Sequence, residues 1–133
     1  MNKKISLFTC LIICTSWFAL AQDDTLQQSM KRGESVYTAN CASCHMPAGE
    51  GVEGAFPPLA ATAYLKNQQR AIGIVLNGQE GELTVNGKQY NVPMAALGHL
   101  SDKEVADVLN FVSNSWGNKN AIIKPAQVKA ERK

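Results

Sequence analysis

The sequence predicts an all-α domain of three to four main helices with one short β-hairpin, and three observations carry that expectation. Apolar residues recur at steps of three and four over the segments flanking the middle of the chain, most strongly behind Ser101. A single tract, LTVNGKQY, reads as strand, and its length allows no more than one hairpin. No internal repeat or low-complexity tract points to another architecture.

The elements follow in order. Lys3 and Lys4 form a basic head, residues 5–20 (ISLFTCLIICTSWFAL) carry no charge, and small residues at 19 and 21 precede the polar Gln22, Asp23 and Asp24. Residues 1–21 are therefore expected to be a secretory signal peptide, with residues 22–133 as the domain. The alternative is an uncleaved anchor, because the apolar run is long for a signal and slightly short of the roughly 20 residues that cross a bilayer. Residues 22–28 are polar and read as loose. From Ser29, Gly33, Val36, Tyr37, Asn40 and Cys41 share one helix face. Residues 46–59, crowded with glycine and proline, read as an irregular loop. A second helix is expected over residues 67–76, with Ile72, Val75 and Leu76 buried and Asn77-Gly78 ending it. The hairpin pairs residues 83–85 with 88–90 across Asn86-Gly87, residues that accept the positive φ of a tight turn. The last strong helix opens with Ser101 and Glu104 in capping-box spacing, carries Val105, Val108, Leu109, Val112 and Trp116 at helical spacing, and is expected to end at Gly117. Pro125 suits the first turn of a short tail helix.

Charge limits the partners. The formal net charge of the whole chain is +2; residues 22–120 hold seven basic against ten acidic residues, and residues 121–133 hold four against one. No basic stripe with interleaved aromatics occurs, which sets nucleic acid aside. The basic end from about residue 121 reads as a solvated tail.

Loss of the signal would remove Cys10 and Cys14 and leave Cys41 and Cys44 within NCASCH (residues 40–45). A disulfide across so small a loop would constrain little of the unfolded chain. A redox dithiol is expected beside a βαβ pattern, which is missing here. A tetrahedral zinc site needs four ligands, and after His45 the remaining histidine is the distant His99. Covalent haem attachment asks for the C-x-x-C-H spacing directly: two thiols for the porphyrin vinyl groups and an imidazole for the iron. Haem c, bound through Cys41 and Cys44 with His45 on the metal, is the expected cofactor.

The stretches RGESVYTANCASCHMPAGEG, FPPLA, VLNGQEG, YNVPMAALGHLSDKEVADVLNFVSNSWGN and KPAQVKAER together resemble a bacterial class I monohaem cytochrome c, over about residues 31–132. The resemblance implies the class I fold: helices around one covalent haem, with electron transfer as the function. It implies Met94 as the second axial ligand, 49 residues beyond His45; a thioether there gives a closed haem of raised potential. The usual order is Met-Pro, whereas here Pro93 precedes Met94, which puts the path of the loop in question. Met30 and Met46 are poorly placed to serve, and His99, just ahead of a helix cap, is the rival ligand. The resemblance also implies that the Pro57 carbonyl holds the histidine Nδ1–H, that Leu59, Ile72, Val75 and Leu76 line the haem, and that Tyr90 meets a propionate. Gly33, Val36 and Tyr37 should pack on Leu109 and Val112.

The expected function is that of a periplasmic one-electron carrier, a monomer and not an enzyme. Its partners would be respiratory reductases, dehydrogenases or oxidases, with membrane attachment only if the signal is uncleaved. The alternatives are a permanent cytochrome subunit of a dehydrogenase or nitrite reductase, and a haem enzyme or gas sensor with an open sixth site.

Overall fold

The computed structural model describes residues 24–132, so the segment read as a signal peptide lies outside the described residues. Five α-helices and one two-stranded sheet are present among them: α1 Leu26–Asn40, α2 Ala42–His45, α3 Gln68–Asn77, β1 Leu83–Val85, β2 Lys88–Tyr90, α4 Asp102–Val112 and α5 Pro125–Glu131. A 3₁₀ turn, Ala63–Lys66, precedes α3. No described helix is long and apolar enough to cross a membrane.

The first helix begins earlier than expected. Thr25 accepts the Gln28 backbone N–H while the Gln28 side chain accepts the Thr25 N–H, so residues read as loose form a capping box and a first turn. The helix crosses α4 in the most extensive helix–helix interface of the fold. Gly33 meets the α4 backbone at Asp107 and the Phe111 side chain. Tyr37 packs in a tilted arrangement on Phe111 and Trp116, whose ring centroids lie 5.5 and 5.1 Å away. Beside this apolar contact, the buried Asp107 carboxylate accepts the Ser29 hydroxyl at 2.5 Å and Arg32 Nε at 2.6 Å. A buried charge is tolerated when it is paired and hydrogen-bonded in this way.

The α4 helix opens on the expected Ser101–Glu104 box but ends at Val112, not at Gly117. Trp116 sits in a turn with φ 51° and reaches the Tyr37–Phe111 cluster from outside the helix. Its helical spacing in the sequence is therefore a coincidence of register. The basic end is no solvated tail: Ile123 and Val128 are 1% and 0% exposed. Asn110 holds both backbone groups of Ile123, at 2.7 and 2.8 Å. Arg132 then ties α5 to Asp102 and to the carbonyls of Gly98 and Leu100. The hairpin has the expected register, Leu83 opposite Tyr90 and Val85 opposite Lys88.

Candidate functional site

A cavity of about 300 Å³ opens between these elements. Its walls come from α2 (Cys41 just ahead of it, Cys44, His45), the loop Phe56 to Leu59, α3 (Ala71, Ile74, Val75), the hairpin (Leu83, Val85, Tyr90), the segment Val92 to Leu97, and α4 (Val108, Leu109). Most of these side chains are apolar, so the cavity excludes water from whatever fills it.

The α2 turn places Cys41, Cys44 and His45 on this one cavity. Neither cysteine is paired in a disulfide. Burial pushes the Cys41 thiol up to about 11, and the neighbouring Cys44 adds to the shift. His45 is 8% exposed. Burial lowers its pKa, against an opposing hydrogen bond to Pro57, so the ring is neutral at neutral pH. Its Nδ1 lies 2.9 Å from the Pro57 carbonyl. A carbonyl can only accept, so Nδ1 carries the proton and Nε2 carries the lone pair.

The loop that brings Pro57 back to His45 is tightly built. Met46 adopts φ 65°, ψ 157°, a region that residues other than glycine enter at a cost of about 1–3 kcal/mol. Its N–H bonds to the Ala42 carbonyl, and its own carbonyl accepts the Gly49 N–H at 3.0 Å and the Tyr37 hydroxyl at 2.6 Å. Burial pushes the Tyr37 hydroxyl well above the usual range, so it stays a donor. The His45 carbonyl accepts the Gly51 N–H at 3.0 Å. A Cβ on Gly51, itself at φ 65°, would stand 2.8 Å from both the carbon and the oxygen of the Pro57 carbonyl, so this approach requires glycine. Asn118 anchors the far end of the loop, donating to the carbonyls of Leu59 and Val112 and accepting the Thr62 N–H.

Met94 lines the same cavity from another segment. Its backbone is pinned to the end of α3 by a two-way bridge, Gln79 N–H to Met94 O at 3.0 Å and Met94 N–H to Gln79 O at 2.9 Å. Leu97 N–H bonds to the Val75 carbonyl next to it. The loop path that the Pro93-Met94 order left in question is thus held by backbone hydrogen bonds.

Leu59 and Tyr90 line the cavity, as does Val75. Ile72 and Leu76 do not; they face the core between α3 and the other helices, and Ala71 and Ile74 take their place on the cavity wall. His99 is exposed and lies away from the cavity. Tyr64 belongs to the site without a signal in the sequence: its ring lines the cavity under the Arg70 guanidinium at 4.0 Å, and its hydroxyl is buried with no hydrogen-bond partner among the described residues. The 3₁₀ turn that orients it gives no periodic signal.

Two cysteines outside any disulfide, a neutral imidazole, a thioether, apolar walls and one unsatisfied buried hydroxyl are a donor set suited to a covalently attached porphyrin with polar edge groups. An α-helical fold closed around such a site defines a c-type cytochrome. The family model for cytochrome c matches residues 30–116, and the chain belongs to that family, as a class I monohaem cytochrome c whose haem c is attached through Cys41 and Cys44. A cytochrome c-552 of Thermus thermophilus is 34% identical over 138 residues, covering 86% of this chain and 87% of that protein. Cytochrome c-555 of Prosthecochloris aestuarii is 31% identical, over 72% of this chain and 97% of that one. The cytochrome c subunit of the quinone alcohol dehydrogenase of Gluconobacter oxydans is 39% identical over 65% of this chain, which spans 18% of that longer subunit. Electron transfer is the function these relationships give the chain.

Proposed function

We propose that the protein is a monomeric, periplasmic one-electron carrier, not an enzyme, in which His45 and Met94 are the two axial ligands of the haem iron. The observation that carries this reading is the Pro57 carbonyl on His45 Nδ1, which leaves Nε2 as the only ring lone pair, in a cavity that also receives the Met94 thioether. Haem c supplies a one-electron couple at iron when bound. The chain's own residues do the rest. Cys41 and Cys44 fix the cofactor to α2, so orientation survives every encounter. Pro57 holds the imidazole in one tautomer and strengthens it as a donor. Leu59, Val75 and Leu109 keep water away, which favours the less charged, reduced state. Tyr90 and Tyr64 are among the polar residues that line the cavity and would meet the cofactor's carboxylate edge. With both ligands supplied by the chain, little has to reorganise when an electron arrives, as suits a carrier better than a catalyst.

The export reading rests on residues 1–21, with membrane attachment only if that segment is retained. A reduced-minus-oxidised spectrum with a pyridine haemochrome assay on the exported protein tests cofactor and attachment together. The sulfur–iron charge-transfer band should vanish in Met94→Ala and persist in His99→Ala; the opposite pattern refutes the ligand assignment. Rapid carbon monoxide binding to the reduced protein would instead favour the gas-binding alternative.

The dehydrogenase-subunit relatives favour a second reading, in which the cytochrome is a fixed subunit of a respiratory dehydrogenase. Co-purification with a dehydrogenase at constant stoichiometry would support it. Recovery as a lone chain supports the free carrier.

A further inference from the structure

The residue after the proposed proximal ligand is a strained non-glycine position, and a group that holds it comes from another helix. Met46, at φ 65° and ψ 157°, turns the chain back on α2. The reversal lets Gly51 N–H reach the His45 carbonyl, and six residues later it delivers the Pro57 carbonyl to His45 Nδ1. A strained turn persists only when its surroundings over-determine it. Two donors converge on the Met46 carbonyl. One is the Gly49 N–H from within the loop, and the other is the Tyr37 hydroxyl of α1, at 2.6 Å. That hydroxyl cannot swing away, because the Tyr37 ring is 2% exposed and packed between Phe111 and Trp116. Trp116 also lies against Gly49, so the same aromatic cluster grips the loop at a second point.

We infer that Tyr37 is a positioning residue for His45: its hydroxyl bond to the Met46 carbonyl holds the strained turn, and the turn sets the Pro57–His45 hydrogen bond that orients the imidazole. The inference rests on the proposed reading of His45 as the proximal ligand. The rigidity of the α1–α4 clamp is thereby transmitted to the ligand through that hydroxyl, beside the Trp116 contact at Gly49. Loosening that hydroxyl frees the Met46 turn, lengthens or frays the Pro57 bond, and makes His45 a weaker donor. A weaker donor stabilises the oxidised iron less, so the reduction potential rises.

The test uses the haem-loaded protein and three variants: Tyr37→Phe, Met46→Gly and the double variant Tyr37→Phe/Met46→Gly. In the reduced protein, nitrogen-15 NMR follows exchange of the His45 Nδ1 proton with solvent, and potentiometry gives the midpoint. Tyr37→Phe should raise the exchange rate about tenfold, the effect of removing one ordinary hydrogen bond from a local opening equilibrium. It should also raise the potential, with the low-spin spectrum retained. Met46→Gly alone should leave both readouts near the wild type, and in the double variant it should return both towards it, because a glycine needs no clamp to hold that turn. An exchange rate and potential unmoved in Tyr37→Phe, with only the unfolding free energy reduced, would overturn the proposal and leave Tyr37 an ordinary core residue. Should Tyr37→Phe fail to fold, the double variant should recover folding, and no recovery overturns the proposal as well. Failure of the ligand reading shows separately, in the unmutated protein: His45 ring protons lacking the porphyrin ring-current shift would remove the ligand assignment and this inference with it.

Discussion

Replacing Gly33 by alanine should destabilise the protein, although alanine is the better helix former. A Cβ at position 33 would lie 2.5 Å from the Asp107 carbonyl carbon and 2.9 Å from Phe111 Cβ, and closer still to the Asp107 oxygen. Carbon atoms pack at about 3.5–4.0 Å, so α1 and α4 must part by about 1 Å. The nearest obstacles are backbone atoms of a helix and cannot rotate aside. Overpacking of this kind costs about 1–3 kcal/mol, and the backbone clash places Gly33→Ala at the upper end, about 3 kcal/mol. Removing a helix-interior glycine returns about 1 kcal/mol, so the net loss is about 2 kcal/mol. For a domain of this size that is a fall in Tm of about 8–16 °C. Gly73 is the internal control, because it lies inside α3 with nothing within 4 Å of its added Cβ. Gly73→Ala should stabilise by about 0.5–1 kcal/mol. Both are measured on haem-loaded protein by guanidinium unfolding, with far-UV circular dichroism and haem absorbance required to coincide. A Gly33→Ala protein within about 0.5 kcal/mol of the wild type, or equal in sign to Gly73→Ala, would refute the close-approach argument.

Three further outcomes follow from the packing and the caps. Asn118→Ala removes the bonds to the Leu59 and Val112 carbonyls and the Thr62 N–H; it should cost about 2 kcal/mol and speed hydrogen exchange at Thr62, and unchanged exchange there would refute the anchoring role. Val128→Ala should cost about 2 kcal/mol, two methyl groups at about 0.8 kcal/mol each plus the cavity left behind, whereas a solvated tail would give no measurable change on urea unfolding. Glu104 titrates below the ordinary glutamate range, chiefly because it accepts the Ser101 hydroxyl and backbone N–H. A depressed carboxyl contributes stability above its unfolded pKa and loses it as the pH falls through the folded one. An NMR titration should therefore place the Glu104 midpoint low, and Ser101→Ala should move it up; an unmoved midpoint would contradict the capping box.

Parts of the site with local chemistry were legible in the sequence. Cys41, Cys44 and His45 are defined by a spacing that one helical turn converts into a single wall. Asn86-Gly87 and the Ser101–Glu104 box carry their backbone requirements in their own residue types, and both appear where expected. The carbonyl of Pro57 was reached only through the family resemblance, yet its physical cause is local as well. The Met46 turn and Gly51 fold the loop so that residue 57 has little choice but to meet the His45 ring.

The helix face that escaped the sequence did so because it has two apolar neighbours that a hydrophobic period cannot tell apart. The α3 helix packs on the protein core with Ile72 and Leu76 and on the cavity with Ala71 and Ile74, so the whole helix reads as one broad apolar surface. Which stripe meets the cofactor depends on where the chain enters the helix, and that is decided by the unpredicted 3₁₀ turn at Ala63–Lys66. Trp116 fails in the opposite way. Its position continues the α4 period, but the helix ends at Val112 and the ring joins the Tyr37 cluster from a turn with positive φ. A helix continued to residue 116 would carry that ring on the α4 face instead of against Gly49. Because the loop after His45 closes partly on that ring, the early end of α4 is what allows the helix clamp and the His45 loop to share one aromatic cluster.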